Sequence, residues 1–570
     1  MNDIRRTILW VIFGFSMVLL WDQWQVHNGN KATFFPAPAT ASKDTPGPVA
    51  SAATTAAGVP PAIQSTAPSA PPVAEKNSNQ NKDYIDVQSD VLKLRFDTDG
   101  ATLARLEFLR HADVNHVGKN VRLLDDSAER IYQAQTGLIG SAGGEPLPTH
   151  KTRMIVRPGA RELGKNADEL TIVFESPPQG GLKLVKTFTL KRGAYDVAVQ
   201  HDIVNVGQQD VAPQLYFQLV RDGNKPVGES SFYSTFTGPA VYTEAKKYQK
   251  VEFADIKKKK VDVEKEATNG YIAMVQHYFV SAWILPDGLQ RNISMDAVDI
   301  GSNMPDCCYR ATVIAPLETI KPGETKSVSA TFYAGPQEEN KLEAIYPGLE
   351  LVKDYGWLTI MAKPLYWLLD KLNHYLGNWG WSIVALVVLL KAGFYWLNAH
   401  AYQSMAKMKA VNPRIMEMRE RLKDNPQQMQ MEMMKIYREE KVNPMGGCLP
   451  IAIQIPVFIA LYWVLLSTVE MRNAPWVGWI HDLAAPDPFF ILPLVMTATT
   501  MLQTALNPAP PDPMQAKMMW IMPLAFSVMF FFFPAGLVLY WITNNVLSIA
   551  QQWVINTRMG VPPQFNLPKF

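Results

Sequence analysis

Apolar and polar positions change rhythm along the chain, and each rhythm predicts a different kind of element. From residue 83 to 338, short runs alternate with period two, as in Val91-Leu-Lys-Leu-Arg-Phe96, Leu182-Lys-Leu-Val-Lys-Thr-Phe-Thr-Leu190 and Tyr195-Asp-Val-Ala-Val-Gln-His-Asp-Ile203. Such runs, separated by Gly, Asp and Asn turns, predict antiparallel strands with one buried face, and this many of them predict one large β-sandwich. In the region 339–378 the spacing becomes helical. Leu365, Leu368, Leu369, Leu372 and Leu376 share one face, with Asp370, Lys371, Asn373 and His374 towards the other, which predicts an amphipathic helix lying at a membrane interface. Continuous apolar runs then predict membrane spans at 379–398, 449–470, 489–507, 518–533 and 536–556. An earlier apolar run, Ile8 to Trp21 within residues 1–25, brings the expected spans to six.

The intervening stretches fix the expected topology. Residues 26–82 are dominated by Ala, Pro, Thr and Ser and lack the large apolar residues that build a core, so they predict a disordered tether. The first apolar run reads as a signal peptide or an uncleaved anchor. The cleavage-like Ala39-Thr40-Ala41 lies far beyond it, which favours the anchor, and Arg5 and Arg6 then hold the N-terminus in the cytoplasm. The first span runs outward, so the β-domain lies outside the cytoplasm and the 379–398 span returns inward. The cytoplasmic segment 399–448 carries Lys407, Lys409, Arg414, Arg419, Arg421, Lys423, Lys435, Arg438 and Lys441, whereas the opposite loop 471–488 has only Arg472. This is the positive-inside asymmetry, and it supports the same orientation independently. Residues 557–570 form a cytoplasmic tail holding only Arg558 and Lys569.

Composition adds exclusions. At 570 residues, 48% hydrophobic and 11% aromatic, the chain suits a mixture of soluble and membrane parts; its net charge of +2 says nothing about partners, and no specific nucleic acid is expected. Three cysteines give no disulfide framework: Cys307 and Cys308 are adjacent, too close for an ordinary bridge, and Cys448 stands alone. The lysine run 257–260 reads as a solvated loop, with lipid headgroups as a lesser reading. Segment 399–448 predicts two helices joined near Asp424-Asn425-Pro426. Its many methionines suit a packed hairpin and also adaptable binding of apolar segments.

Candidate chemistry centres on Lys391, set inside the apolar run Ile383 to Leu397. An ammonium at the middle of a span costs roughly 2.5 to 3.5 kcal/mol. Snorkelling to the span end is the simple relief; the other is a wet cavity where the charge meets a partner or substrate. No Asp, Glu or His lies inside the apolar runs of the expected spans, of which the third ends at Thr468, and all nine histidines fall outside, so no counter-charge is supplied within the bundle. The run 518–533 is short, about 24 Å as a helix against a hydrocarbon core of roughly 30 Å, and Pro456, Pro493 and Pro523 interrupt backbone bonding. Uncharged polar residues in the spans, including Gln454, Thr499, Thr500, Gln503, Asn544, Asn545, Gln551 and Gln552, read mostly as interhelical bonds. The spans hold neither a protease constellation nor a proton relay, and no phosphate-binding glycine loop is evident. The membrane part reads as a binding surface, with neither metal nor cofactor expected.

The stretch Lys441-Val-Asn-Pro-Met-Gly-Gly-Cys-Leu-Pro-Ile-Ala-Ile-Gln-Ile-Pro-Val-Phe458, followed by Leu461-Tyr462, resembles the signature of YidC-type membrane protein insertases, the bacterial branch of the Oxa family. Further matches are Asp354-Tyr-Gly-Trp357, Gly377-Asn-Trp-Gly380, Trp479-Ile-His-Asp-Leu483, Asp512-Pro-Met-Gln515 and Phe533-Pro-Ala-Gly-Leu-Val-Leu-Tyr540. The resemblance covers essentially the whole chain in the Gram-negative layout. It implies a multi-domain inner-membrane protein: an α-helical transmembrane bundle of six spans with a five-helix insertase core, plus a large periplasmic antiparallel β-sandwich. It implies a non-enzymatic insertase and chaperone for nascent membrane proteins, working alone or with the Sec translocon and its accessory proteins, in contact with the lipid bilayer. The ribosome and the signal recognition particle receptor are further implied partners, although the tail lacks the strongly basic character that would favour ribosome binding. By position, Lys391 is the groove cation, Gln454, Gln503 and Trp541 line the groove, and Tyr540 and Trp541 lie near the client's exit path. The resemblance also assigns the 399–448 hairpin to client recruitment. The family's usual groove cation is arginine. Lysine lacks the planar five-donor fork, which leaves general electrostatic attraction rather than bidentate recognition. A transporter or channel for a small anionic solute, using Lys391 as its binding charge, is the alternative.

Overall fold

The computed structural model describes residues 59–60, 83–113, 116, 118–142, 145–226, 235–299, 307–422, 425–440, 449–507, 513–558, 560 and 565. They form two compact units, one from Ala53–Trp367 with Ile459–Ala474 and one from Leu368–Phe458 with Pro475–Phe570. The expected N-terminal anchor, most of the tether, the signature residues 441–448 and most of the tail lie outside the described residues.

The first unit is the β-sandwich. One nine-stranded antiparallel sheet runs, edge to edge, Tyr84–Gln88, Leu92–Asp97, Thr102–Ala112, Asn120–Asp126, Ile131–Ile139, Gln214–Arg221, Tyr309–Pro316, Arg291–Ala297 and Glu266–Ala267. The other runs Lys247–Lys250, Gly238–Thr243, Tyr271–Gln276, Phe279–Ile284, Thr325–Pro336, Asp196–Asn205, Leu182–Lys191, Glu169–Glu175 and Ile155–Val156. The alternating runs seen in the sequence are strands here, with their apolar positions turned inward. Rings from opposite sheets meet in the core: Phe96 lies 5.2 Å from Phe174 and 4.7 Å from Phe188, and Phe217 lies 5.3 Å from Trp283. Burying each such ring contributes about 2 to 3 kcal/mol.

Helix α1 (Phe253–Lys257) leads into the exposed lysines 257–260, and α2 (Glu339–Ile345) follows the last strand. Two details differ from expectation. Val59, within the stretch read as a tether, packs on Ile139, Tyr216 and Ile314, because a small apolar side chain finds an apolar surface there. The Cα atoms of Cys307 and Cys308 lie 3.0 Å apart across a cis peptide, closer than the trans spacing assumed from adjacency. Segment Ile459–Ala474 belongs to this unit through specific contacts. Glu470 accepts a hydrogen bond from the Tyr366 hydroxyl at 2.7 Å and sits 3.6 Å from the buried Lys353 ammonium, and His277 bonds the Leu466 carbonyl at 3.0 Å.

Helix α3 (Thr359–Leu376) is the expected amphipathic helix. Its leucine stripe is covered only in part: Leu365 and Leu369 are buried and Leu368 and Leu372 half-buried, whereas Leu376 is exposed, as are Ile360, Trp367 and Tyr375. Periodicity identifies an apolar face but does not say how much of it is covered.

The second unit is helical. Its elements are α4 (Trp379–Gly393), α5 (Tyr395–Arg421), α6 (Pro426–Glu439), part of α7 (Leu449–Ser467), α8 (Ile491–Leu506), α9 (Pro513–Met529) and α10 (Ala535–Arg558). Asn378 caps α4 by accepting from the Trp381 amide, and Asn425 caps α6 by accepting from Gln428. Asp487 accepts from the Phe489 and Leu492 amides at the start of α8 and from the Trp479 indole. No single described helix is long and apolar enough to cross a membrane by length and composition. Trp379–Gly393 and Tyr395–Ser404 pass together as a pair bent by 63°. The segment expected as one span, 379–398, therefore breaks at Phe394.

Candidate functional site

Helix α4 is largely apolar and carries Lys391 in its last turn, where a basic side chain suits the negative C-terminal end of a helix. Lys391 is only 8% exposed. Its ammonium donates to Ser548 Oγ on α10 at 2.8 Å, and the Ser548 hydroxyl donates onward to the Asn544 carbonyl at 2.7 Å. The Lys391 carbonyl, one of the last in α4 and without a partner inside the helix, accepts from Gln551 Nε2 at 3.4 Å. Gln551 Oε1 lies 3.5 Å from Asn398 Nδ2. The ammonium thus turns to a hydroxyl in the interior. Among the described residues no carboxylate faces it.

Helix α10 presents an ordered polar stripe. Trp541, Asn545, Ser548 and Gln552 recur at i, i+4, i+7 and i+11, one helical face, and the last three are buried. Asn545 donates to Thr499 and Thr500 on α8 at 3.2 and 2.9 Å. Gln552 donates to the Leu506 carbonyl and to Asn507, each at 3.3 Å. Outward surfaces show the opposite character: Ile521, Met522, Leu524, Phe526 and Val528 on α9 and Leu494 and Leu502 on α8 are exposed. Polar groups inside and large apolar groups outside invert the arrangement of a water-soluble protein and suit a hydrocarbon surround.

The expected site residues divide as follows. Trp541 is half-buried, with its ring centroid 4.6 Å from Phe458 and 4.8 Å from Phe530. Tyr540 is buried, with its ring 5.6 Å from Phe458. Ser548, the hydrogen-bond partner of Lys391, follows Trp541 by two turns, about 10 Å along α10 on the same face. Gln503 is half-buried on α8. Gln454 falls within α7, but its side chain lies outside the described set. Sequence reasoning missed Ser548 and Asn398. The signal for Ser548 was the spacing from Trp541, which makes a polar face out of residues first read one by one.

The α5–α6 hairpin has a small core of Val411, Ile415, Met418 and Ile436, against which Met408, Met429 and Met433 pack. Arg421 pairs with Glu432 at 2.9 Å across the hairpin, and Arg414 bonds both Glu439 and Glu440. Met416, Met431 and Met434 remain exposed, so packing and an open methionine surface coexist on different faces. No group of three His, Cys, Asp or Glu residues able to hold a metal occurs among the described residues.

Two family models match the chain: "YidC periplasmic domain" over residues 84–368 and "60Kd inner membrane protein" over 371–561. Among curated proteins, the membrane protein insertase YidC of Cupriavidus metallidurans is 54% identical over 568 residues, covering 98% of both chains. Those of Ralstonia nicotianae and Bordetella parapertussis are 52% and 51% identical, again over 98% of each chain. A crystal structure of an active YidC insertase with its first transmembrane domain resolved is similar at 19% identity and a TM-score of 0.39, covering 83% of this chain and 92% of that one.

Proposed function

Because this chain belongs to the YidC family of membrane protein insertases, an inner-membrane family with a periplasmic domain, we propose that Lys391 is the charge that draws a client's polar tail into the bundle. The client is a nascent membrane protein. Its short extracytoplasmic tail, when acidic, finds in Lys391 a cation that no carboxylate of the described residues already neutralises. Gln454, Gln503 and the α10 stripe offer hydrogen-bond partners to the tail's backbone, and Tyr540 and Trp541 flank the path by which the apolar segment leaves for lipid. The exposed methionines of the hairpin suit a first, adaptable contact with that segment. Both termini lie in the cytoplasm, and the chain works alone on small clients and with the Sec translocon on larger ones. The ribosome and the signal recognition particle receptor are its proposed delivery partners.

The observation that carries this reading is the buried ammonium turned to a serine hydroxyl and to no carboxylate. A cation desolvated without a counter-charge attracts an incoming anion far more strongly than one in water. No bond is made or broken in the client. The protein lowers the barrier to moving a polar tail across hydrocarbon by giving it polar partners along the way.

Charge at residue 391 is the test. Lys391→Glu should reduce insertion of a client with an acidic tail by about tenfold or more, whereas Lys391→Arg should retain it. The assay is protease protection of the translocated tail in proteoliposomes. Equal insertion by the Glu variant and the parent chain would contradict the charge-attraction account. Anion flux through the same liposomes without client insertion would favour a transporter instead.

A further inference from the structure

Lys391 needs something to hold it inside the bundle. It lies in the last turn of α4, so without an interior partner its flexible stem would carry the ammonium towards the end of the span. The interior partner is Ser548. The hydroxyl's single hydrogen is committed to the Asn544 carbonyl four residues back at 2.7 Å, so its lone pairs face away from its own helix. One lone pair receives the Lys391 ammonium at 2.8 Å. Ser548 thereby joins α4 to α10.

We propose that Ser548 is a positioning residue for insertion: its fixed hydroxyl aims the Lys391 ammonium inward and leaves the remaining ammonium hydrogens for a client's carboxylate. The proposal rests on the reading of Lys391 given above and adds a role for a residue outside the expected set. An ammonium is a compact donor that a single hydroxyl oxygen satisfies. Gln551 supports the arrangement by holding the Lys391 backbone carbonyl, which fixes where the side chain starts.

The test compares two substitutions of one shape. Ser548→Thr keeps the hydroxyl and its backward bond; Ser548→Val has the same branching without the oxygen. Each full-length variant is reconstituted in proteoliposomes and assayed with two clients that differ only in an acidic or a neutral tail. The ratio of acidic-tail to neutral-tail insertion is the readout. Ser548→Val should lower that ratio about fivefold, and Ser548→Thr should restore it to within about twofold of the parent chain. A merely structural role would depress both clients alike and leave the ratio unchanged, which would overturn the proposal. So would a ratio lowered equally by Thr and Val. Lys391→Glu is run alongside: if it leaves the ratio at the parent value, the charge reading itself fails, whereas a low ratio there with a normal one for Ser548→Val fails Ser548 alone.

Discussion

Lys186 and His201 face each other across neighbouring strands in the interior of the sandwich, and both are fully buried. The Lys186 ammonium donates to the Gly100 and Thr136 carbonyls at 2.6 and 2.7 Å, and His201 Nε2 lies 2.9 Å from the Thr136 hydroxyl. Burial pulls Lys186 down to about 7 and holds His201 well below its usual value. Burial likewise lowers His150 to about 3, and lowers His111 and His277 to about 4, with Arg472 adding to the effect at both of these. In each case the unfolded chain takes up protons that the folded domain refuses, so stability rises with pH across the gap. For the histidines the gain is complete above about 6.5 and is lost as pH falls towards 4 and below; for Lys186 the gain comes between about 7 and 10.5. The near-ultraviolet melting temperature of the full chain in detergent should therefore fall between pH 6.5 and 4.5. Lys186→Met should flatten the rise between pH 7 and 10, and parallel curves for variant and parent would refute the lysine contribution. Both positions were readable in the sequence. Leu182, Leu184, Lys186, Phe188 and Leu190 share one parity, as do Val197, Val199, His201 and Ile203, so the alternation puts a lysine and a histidine on the apolar face.

Among the elements, helix α4 shows how closely the packing is specified. A Cβ added at Gly380 would lie 2.2 Å from Trp476 Cδ1, whereas one at Gly393 would meet nothing within 4 Å. Gly380→Ala should therefore destabilise the helical unit by about 1 to 3 kcal/mol, and Gly393→Ala should not destabilise it. Thermal unfolding followed by tryptophan fluorescence separates the two; equal effects would mean that Trp476 gives way freely. Element starts were legible where residues supply a mechanism. Asn425-Pro426 reads as a cap followed by a first-turn proline, and α6 begins there. The break at Phe394 was not legible, because helix-compatible residues continue through it and Gly393 is a weak breaker alone. Nor was how far the leucine stripe of α3 is covered, since a stripe of leucines does not say whether lipid or protein lies against it.

Across the whole molecule, composition and rhythm gave the fold class, a sandwich and a helical membrane part, but not that Ile459–Ala474 groups with the sandwich. Strand order stayed hidden, because the sandwich pairs segments far apart in sequence. Ile131–Ile139 lies beside Gln214–Arg221, and Asp196–Asn205 beside Thr325–Pro336, pairings that local alternation does not encode. The candidate site was legible as one charge and only partly as a constellation, since Lys391 stood out by its isolation while Ser548 acquired meaning only from the helix packed opposite. The central claim is that the client's polar tail passes along the face shared by Lys391, Ser548 and Trp541. A photoreactive side chain placed at Trp541 or Gln503, with one at Thr189 on the sandwich as control, should report it against a ribosome-stalled nascent membrane protein. The account requires adducts from 541 and 503 that shift along the client as its stalled length increases, with none from 189. Efficient insertion without any adduct from 541 or 503 would contradict it.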